Sequence, residues 1–262
     1  TCSKLNPRRV IKMAFPLTVH LGYGQEKVET SSQKQKLGTR AVTPDGRVFY
    51  YAENSGAAIT TAGQLVDGIA AVGADDGDLA TAALAAGSLT VTTTTSLTVT
   101  KDQYKDGYLF INDNAAQGEV YRIKSNTAVS SAAGLEIRLD EPDGIRTAFT
   151  TSTQFGLMYP PYKDIKLMDN DGTMTTGPLG VTTIAVTADY FCWIQTAGPA
   201  AVLSGAATFV VGDAVGISKA DENGAIDLWD ASTEEDSRPI GTSMGVVSVD
   251  TEYGWVMLAI RD

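Results

Sequence analysis

The sequence predicts an all-β protein: an extended N-terminal arm followed by small antiparallel β-barrel or sandwich modules with little helix. Two observations carry that expectation. Short runs of β-branched and aromatic residues are separated by Gly, Pro and Asp turn signals every 8–12 residues or so, the spacing of barrels and sandwiches. No apolar period of 3.6 survives beyond a turn or two. A third observation sets the N-terminus apart. Residues 1–40 hold Lys4, Arg8, Arg9, Lys12, Lys27, Lys34, Lys36 and Arg40 against Glu26 and Glu29, a net +6 on a chain of net −11. The rest therefore carries −17.

Residues 1–36 read as the arm, because no sustained apolar period would let them bury a core of their own. Phe15-Pro16-Leu17-Thr18-Val19-His20-Leu21 alternates apolar and other side chains, a pattern suited to adding a strand to a neighbour's sheet edge. Residues 37–87 open with a hairpin, Ala41–Thr43 and Arg47–Tyr51 around Pro44-Asp45-Gly46, expected to pack with the C-terminal module. Asp78–Ala86 fits a loop or a short helix equally.

Residues 88–150 read as a small antiparallel module. Leu89–Thr100 is rich in β-branched residues that lose side-chain freedom in a helix. Asp106-Gly107 turns into Tyr108–Asn112, and Gly118 precedes Glu119–Lys124 with its doubled apolar pair Val120-Tyr121. Leu135–Leu139 alternates strictly. Residues 151–181, with Pro160-Pro161, read as a connector over the surface. Residues 182–262 read as a C-terminal barrel or sandwich module; its most apolar strand, Tyr190–Thr196, is expected to end at Gly198-Pro199.

Composition excludes several functions. A strongly acidic body is a poor surface for phosphate backbones, which clustered Lys and Arg attract, so no direct nucleic-acid contact is expected. No apolar run approaches the roughly 20 residues that span a bilayer, so no membrane partner is expected. Cys2 and Cys192 are too few and too far apart for a disulfide framework or metal cluster. Cys192, between Phe191 and Trp193, reads as a small buried hydrophobe.

Catalytic patterns are weak. His20 is the single histidine and has no neighbouring Asp or Gly-flanked Ser. Asp169-Asn170-Asp171-Gly172 starts like a calcium loop but lacks the later Glu, so it reads as a polar turn. The pattern calls for no enzyme activity, no metal and no cofactor. Tyr159, Tyr162 and Trp229 would be the aromatic platform if the protein bound carbohydrate.

Three stretches, taken in order, resemble bacteriophage capsid decoration proteins, the head-stabilising or cement proteins of tailed phages. They are Leu37–Ala52 with Ala62–Leu65; Asp102–Asn112 with Gly118–Ile123; and Tyr190–Ala200 with Gly212–Val215 and Ile240–Thr242. The resemblance implies a non-enzymatic virion structural protein on the outer capsid surface that bridges major capsid protein subunits. It also implies a homo-oligomer, with a trimer favoured and a dimer the alternative. On that reading Arg8, Arg9, Lys12, Lys34, Lys36 and Arg40 pair with capsid carboxylates, while Phe15, Leu17, Val19 and Leu21 add strand-like contacts. The alternatives are another virion part (head fibre, tail or adaptor protein) or a carbohydrate-binding β protein.

Overall fold

The computed structural model describes residues 18–70, 73, 77–96, 98–130, 134–170, 174–205, 208–218, 222–230 and 238–261. Among them there is no α-helix, and one 3-10 turn, Gln25–Lys27, is the sole helical element. Four strands come first: β1 (Val19–His20), β2 (Arg40–Val42), β3 (Val48–Glu53) and β4 (Leu65–Asp67). Six follow: β5 (Leu79–Ala80), β6 (Thr90–Thr94), β7 (Tyr108–Asp113), β8 (Val120–Asn126), β9 (Gly134–Leu139) and β10 (Gln154–Met158). The last seven are β11 (Lys166–Leu167), β12 (Gly180–Thr182), β13 (Phe191–Leu203), β14 (Ala214–Ile217), β15 (Ile226–Leu228), β16 (Gly241–Ser243) and β17 (Tyr253–Ala259).

The middle six strands pair antiparallel in the order β5-β10-β7-β8-β9-β6 and form a nearly closed barrel. Its ends meet through side chains: Thr93 Oγ1 donates to Ala80 O at 2.6 Å and Thr81 Oγ1 to Thr92 O at 3.4 Å. Inward alternation fills the barrel with Val91, Leu109, Ile111, Tyr121, Ile123, Leu135, Ile137, Phe155 and Leu157. Residues 79–86 therefore hold a short strand and an isolated bridge, Leu84 to Phe149, rather than a helix.

The other eleven strands form a second sheet with the path β1-β2-β3-β13-β17-β16-β14-β15, on which β12, β4 and β11 branch from β13. Strand β13 is its spine. Phe191–Ala197 pairs with β3 and Ala197–Leu203 with β17, so one strand spans two hydrophobic clusters. It runs straight through Gly198-Pro199, where an end was expected. A register shift between Gln195 and Ala197 and a left-handed Gly198 (φ 87°) hand the strand from one partner to the other. Pro199 is tolerated because only β17 flanks that stretch, so its missing N–H breaks no second ladder.

Strands β4 and β11 pair directly, Val66 with Leu167 and Asp67 with Lys166. The chain thus leaves the large sheet after β4, builds the barrel, and returns beside its point of departure. The barrel is an insertion. Residues 151–181 are correspondingly not a plain connector: β10 belongs to the barrel, while β11 and β12 belong to the large sheet.

Candidate interaction surface

Of the arm residues singled out in the sequence, Arg8, Arg9, Lys12, Phe15 and Leu17 lie outside the described residues. The others do not stand off as a free arm. Val19 sits in β1, parallel to β2 and opposite Ala41; Leu21 is buried, and its N–H donates to Val42 O at 3.0 Å. Thr30 bridges to Phe191, and Glu26 is buried beneath Arg47 at 3.3 Å. The alternation at Val19 and Leu21 is therefore used inside the chain, on the open edge of its own β2. Leu21 packs in the hydrophobic cluster of the large sheet and half-buried Val19 packs against it, so both serve the chain's own core. Arg40 is half-buried in β2, opposite Tyr50.

Lys34 and Lys36 are different. Both are exposed and line an open cleft of about 460 Å³ at the seam between the large sheet and the inserted barrel. Lys105 and Lys124 face them from the barrel, with Asp106 and Asp140 beside them. Four ammonium groups against two carboxylates make a cationic spot on an acidic chain.

Asp106 builds the seam. It is 4% exposed and adopts a left-handed backbone (φ 63°), which a short polar side chain tolerates. Its carboxylate accepts from Gln33 Nε2 at 2.6 Å and from Leu37 N–H at 3.3 Å, with Arg122 Nη2 at 3.9 Å. Arg122 Nη2 also donates to Leu37 O at 3.1 Å. Lys105 Nζ donates to Gln33 Oε1 at 2.9 Å, and Lys36 pairs with Asp140. Among the described residues Lys34 and Lys124 have no carboxylate within 4.0 Å. They remain free to take carboxylates from outside through charge-assisted hydrogen bonds.

Sequence reasoning found Lys34 and Lys36 but not Lys105 or Lys124. Nothing local marks the latter pair, because the barrel's insertion brings them to the cleft from more than 65 positions along the chain. The Asp106-Gly107 turn was visible; its carboxylate's role as a clasp was not.

The proposed sugar platform fails in part. Tyr162 is buried and stacks on Tyr50 at 5.1 Å, with Arg261 Nη1 donating to its hydroxyl at 3.3 Å. Tyr159 stacks on Tyr104 at 5.0 Å. Trp229 is half-buried. Burial pushes the Cys192 thiol up to about 12, so it stays protonated and unreactive at neutral pH. Asp169 pairs with Lys166 at 2.8 Å, while Asp171 and Gly172 lie outside the described residues. Among the described residues no group of three or more His, Cys, Asp and Glu could hold a metal ion, and no helix is long and apolar enough to cross a membrane.

Comparison of the chain with protein-family models, curated proteins and solved structures returned no match.

Proposed function

We propose that this chain is a non-enzymatic virion structural protein that decorates the outer capsid surface of a tailed phage and bridges major capsid protein subunits. The observation that carries the reading is the convergence of Lys34, Lys36, Lys105 and Lys124 in one open cleft of an otherwise acidic molecule. Such a cleft fits a carboxylate-bearing protein surface. It adds to the resemblance in the three turn-and-strand stretches, which points to the same class. Arg8, Arg9 and Lys12 extend the cationic stretch in sequence and are assigned to the same contact, with Phe15 and Leu17. Val19 and Leu21 are withdrawn from it.

A cement must add many modest contacts across subunit seams, and attachment to a repeating lattice raises effective affinity without any single strong site. Two rigid β bodies joined through a cationic seam suit that task.

The test is co-sedimentation with expanded capsids. Replacing Lys34 and Lys124 together by Glu should weaken binding about tenfold at low salt and flatten its salt dependence, since exposed pairs contribute on the order of 0.5–1 kcal/mol each. Unchanged capsid binding would remove the cleft from the contact. Electron cryomicroscopy of virions supplies the second arm: density on the tail or at a head fibre, instead of over the shell, would replace the capsid assignment.

A further inference from the structure

A second open cleft, of about 380 Å³, lies along the edge of β13 and shares no residue with the lysine cleft. Tyr253 and Trp255 of β17 form one wall and are 45% and 51% exposed. The small Ala201 lies opposite Trp255, so no bulky neighbour from β13 covers the indole. Tyr253 is fixed in place. Its Oη donates to Ala62 O at 2.9 Å, and its ring covers Gly63 so closely that a Cβ there would come within 2.6 Å of Cε1. A ring held before binding loses little freedom on binding.

The other wall is polar and incompletely satisfied. Gln195 is 2% exposed and sits at the register shift of β13. Its Nε2 donates to Ala197 O at 3.2 Å and Pro199 O at 2.9 Å, which fixes the orientation of the amide. Among the described residues its Oε1 receives no hydrogen bond, in a side chain that lines the cleft. Arg47 is held by Asp45 at 2.9 Å and Glu26 at 3.3 Å through Nε and Nη2, and among the described residues its Nη1 is unused. Backbone alternation adds one more donor and acceptor. Ile260 N–H bonds to Thr196 O and Leu203 N–H to Gly63 O. Even-numbered residues of this stretch therefore face β17, and Ala201 turns its N–H and C=O toward the cleft.

We propose that this cleft binds an uncharged carbohydrate. The C–H face of a sugar ring stacks on exposed aromatic rings, while its hydroxyls donate and accept at once. That dual character matches acceptors at Gln195 Oε1 and Ala201 O interleaved with donors at Arg47 Nη1 and Ala201 N–H. Charge selects against anionic ligands. Lys27 and Arg47 are balanced by Asp45 and Glu26, so the cleft has no net charge, and the chain around it carries −11. An extended peptide fits less well, because strand addition needs a run of free backbone groups. Here only Ala201 offers both. Pro199 lacks an N–H and its carbonyl is taken by Gln195, while the Leu203 N–H is taken by Gly63. The cleft's volume lies at the small end of ligand sites, room for a short stretch of a glycan. The inference does not rest on the capsid reading, and salt separates the two: attachment through lysines weakens as salt rises, whereas binding of an uncharged sugar does not.

The test is amide and indole NMR of the full chain titrated with maltopentaose, cellopentaose and chitopentaose to about 10 mM, which covers millimolar dissociation constants. At least one should shift the Trp255 indole N–H and the Gln195 carboxamide, with an affinity unchanged between low and high salt. Trp255→Ala should weaken that binding at least about tenfold with an unchanged circular dichroism spectrum, and Trp255→Phe should restore most of it. Ala201→Arg, at an exposed position, should block the cleft and serves as the second variant should Trp255→Ala misfold. Lys34→Glu should leave sugar binding intact. Silence of both resonances across the three sugars would overturn the proposal. So would binding that survives both Trp255→Ala and Ala201→Arg, or that fades with salt. Shifts of the same resonances that depend on protein concentration without sugar would assign the face to a second copy instead.

Discussion

At the scale of single residues, two carboxyls sit where the fold disfavours their charge. Glu53 ends β3 with its N–H bonded to Tyr162 O and its carbonyl accepting from Ile165 N, both at 2.9 Å. Burial raises its pKa, Lys163 opposes the shift, and Asp164 adds to it. Asp164 is raised chiefly by burial too, with Lys163 opposing and Asp189 adding. A carboxyl raised on folding holds its proton more tightly in the native state. Its full contribution is present below the unfolded value and is lost as pH climbs through the folded one. The loss therefore begins near the ordinary values of 4.5 for Glu53 and 3.8 for Asp164 and continues upward. Glu53→Gln removes it. Thermal unfolding should show a higher midpoint than wild type at pH 7, corresponding to about 0.5 kcal/mol of added stability after solvent screening, and no difference at pH 3. Equal midpoints at both values would contradict the assignment. Asp164→Asn should behave alike, since its left-handed backbone (φ 47°) suits Asn.

At the scale of elements, close approach decides where the barrel can close. Gly107 precedes β7 and passes β10 so tightly that a Cβ would lie 2.2 Å from Met158 O and 2.9 Å from Tyr104 O. Both contacts are backbone and cannot swing aside. Gly107→Ala must push β10 off β7 and should cost about 3 kcal/mol in urea unfolding. Gly134→Ala in β9, whose Cβ would meet nothing nearer than 4.0 Å, is the control and should stay within about 0.5 kcal/mol. Strand periodicity was the part of the fold most legible in the sequence. Leu135, Ile137 and Leu139 are buried in strict alternation, and the doubled pair Val120-Tyr121 resolves with Val120 outward and Tyr121 inward. What the chain hid was pairing over distance. Gln154–Met158 looks like part of a proline-rich link until β7 is placed beside it, and Gly198-Pro199 looks like a stop unless the change of partner is known. The interaction surface followed the same rule: Lys34 and Lys36 stood out through local charge, whereas Lys105, Lys124 and Trp255 acquire their setting only from strands far away.

At the scale of the molecule, the insertion divides the energetics. The barrel encloses its own cluster, with Tyr104, Leu109, Ile123, Leu135, Ile137, Phe155 and Leu157 all essentially removed from water, and all six strands find their ladder partners within it. Across the seam the named contacts are polar: Asp106 with Gln33 and Leu37, Arg122 with Leu37, Lys105 with Gln33 and Lys36 with Asp140. Polar contacts half in water contribute little each, so the barrel's stability rests on its interior and not on its dock. A fragment of residues 77–160 should therefore fold alone. It should give a β-type circular dichroism spectrum, dispersed amide resonances and one cooperative urea transition, within the size range of autonomous small domains. A fragment with native-like secondary structure but no cooperative transition would mean that the large sheet supplies packing the barrel lacks. The folded fragment would still carry Lys105 and Lys124 without Lys34 and Lys36, half of the cationic cleft. If the proposed capsid contact holds, the fragment should bind capsids far more weakly than the full chain, because the cleft exists only where the two bodies meet.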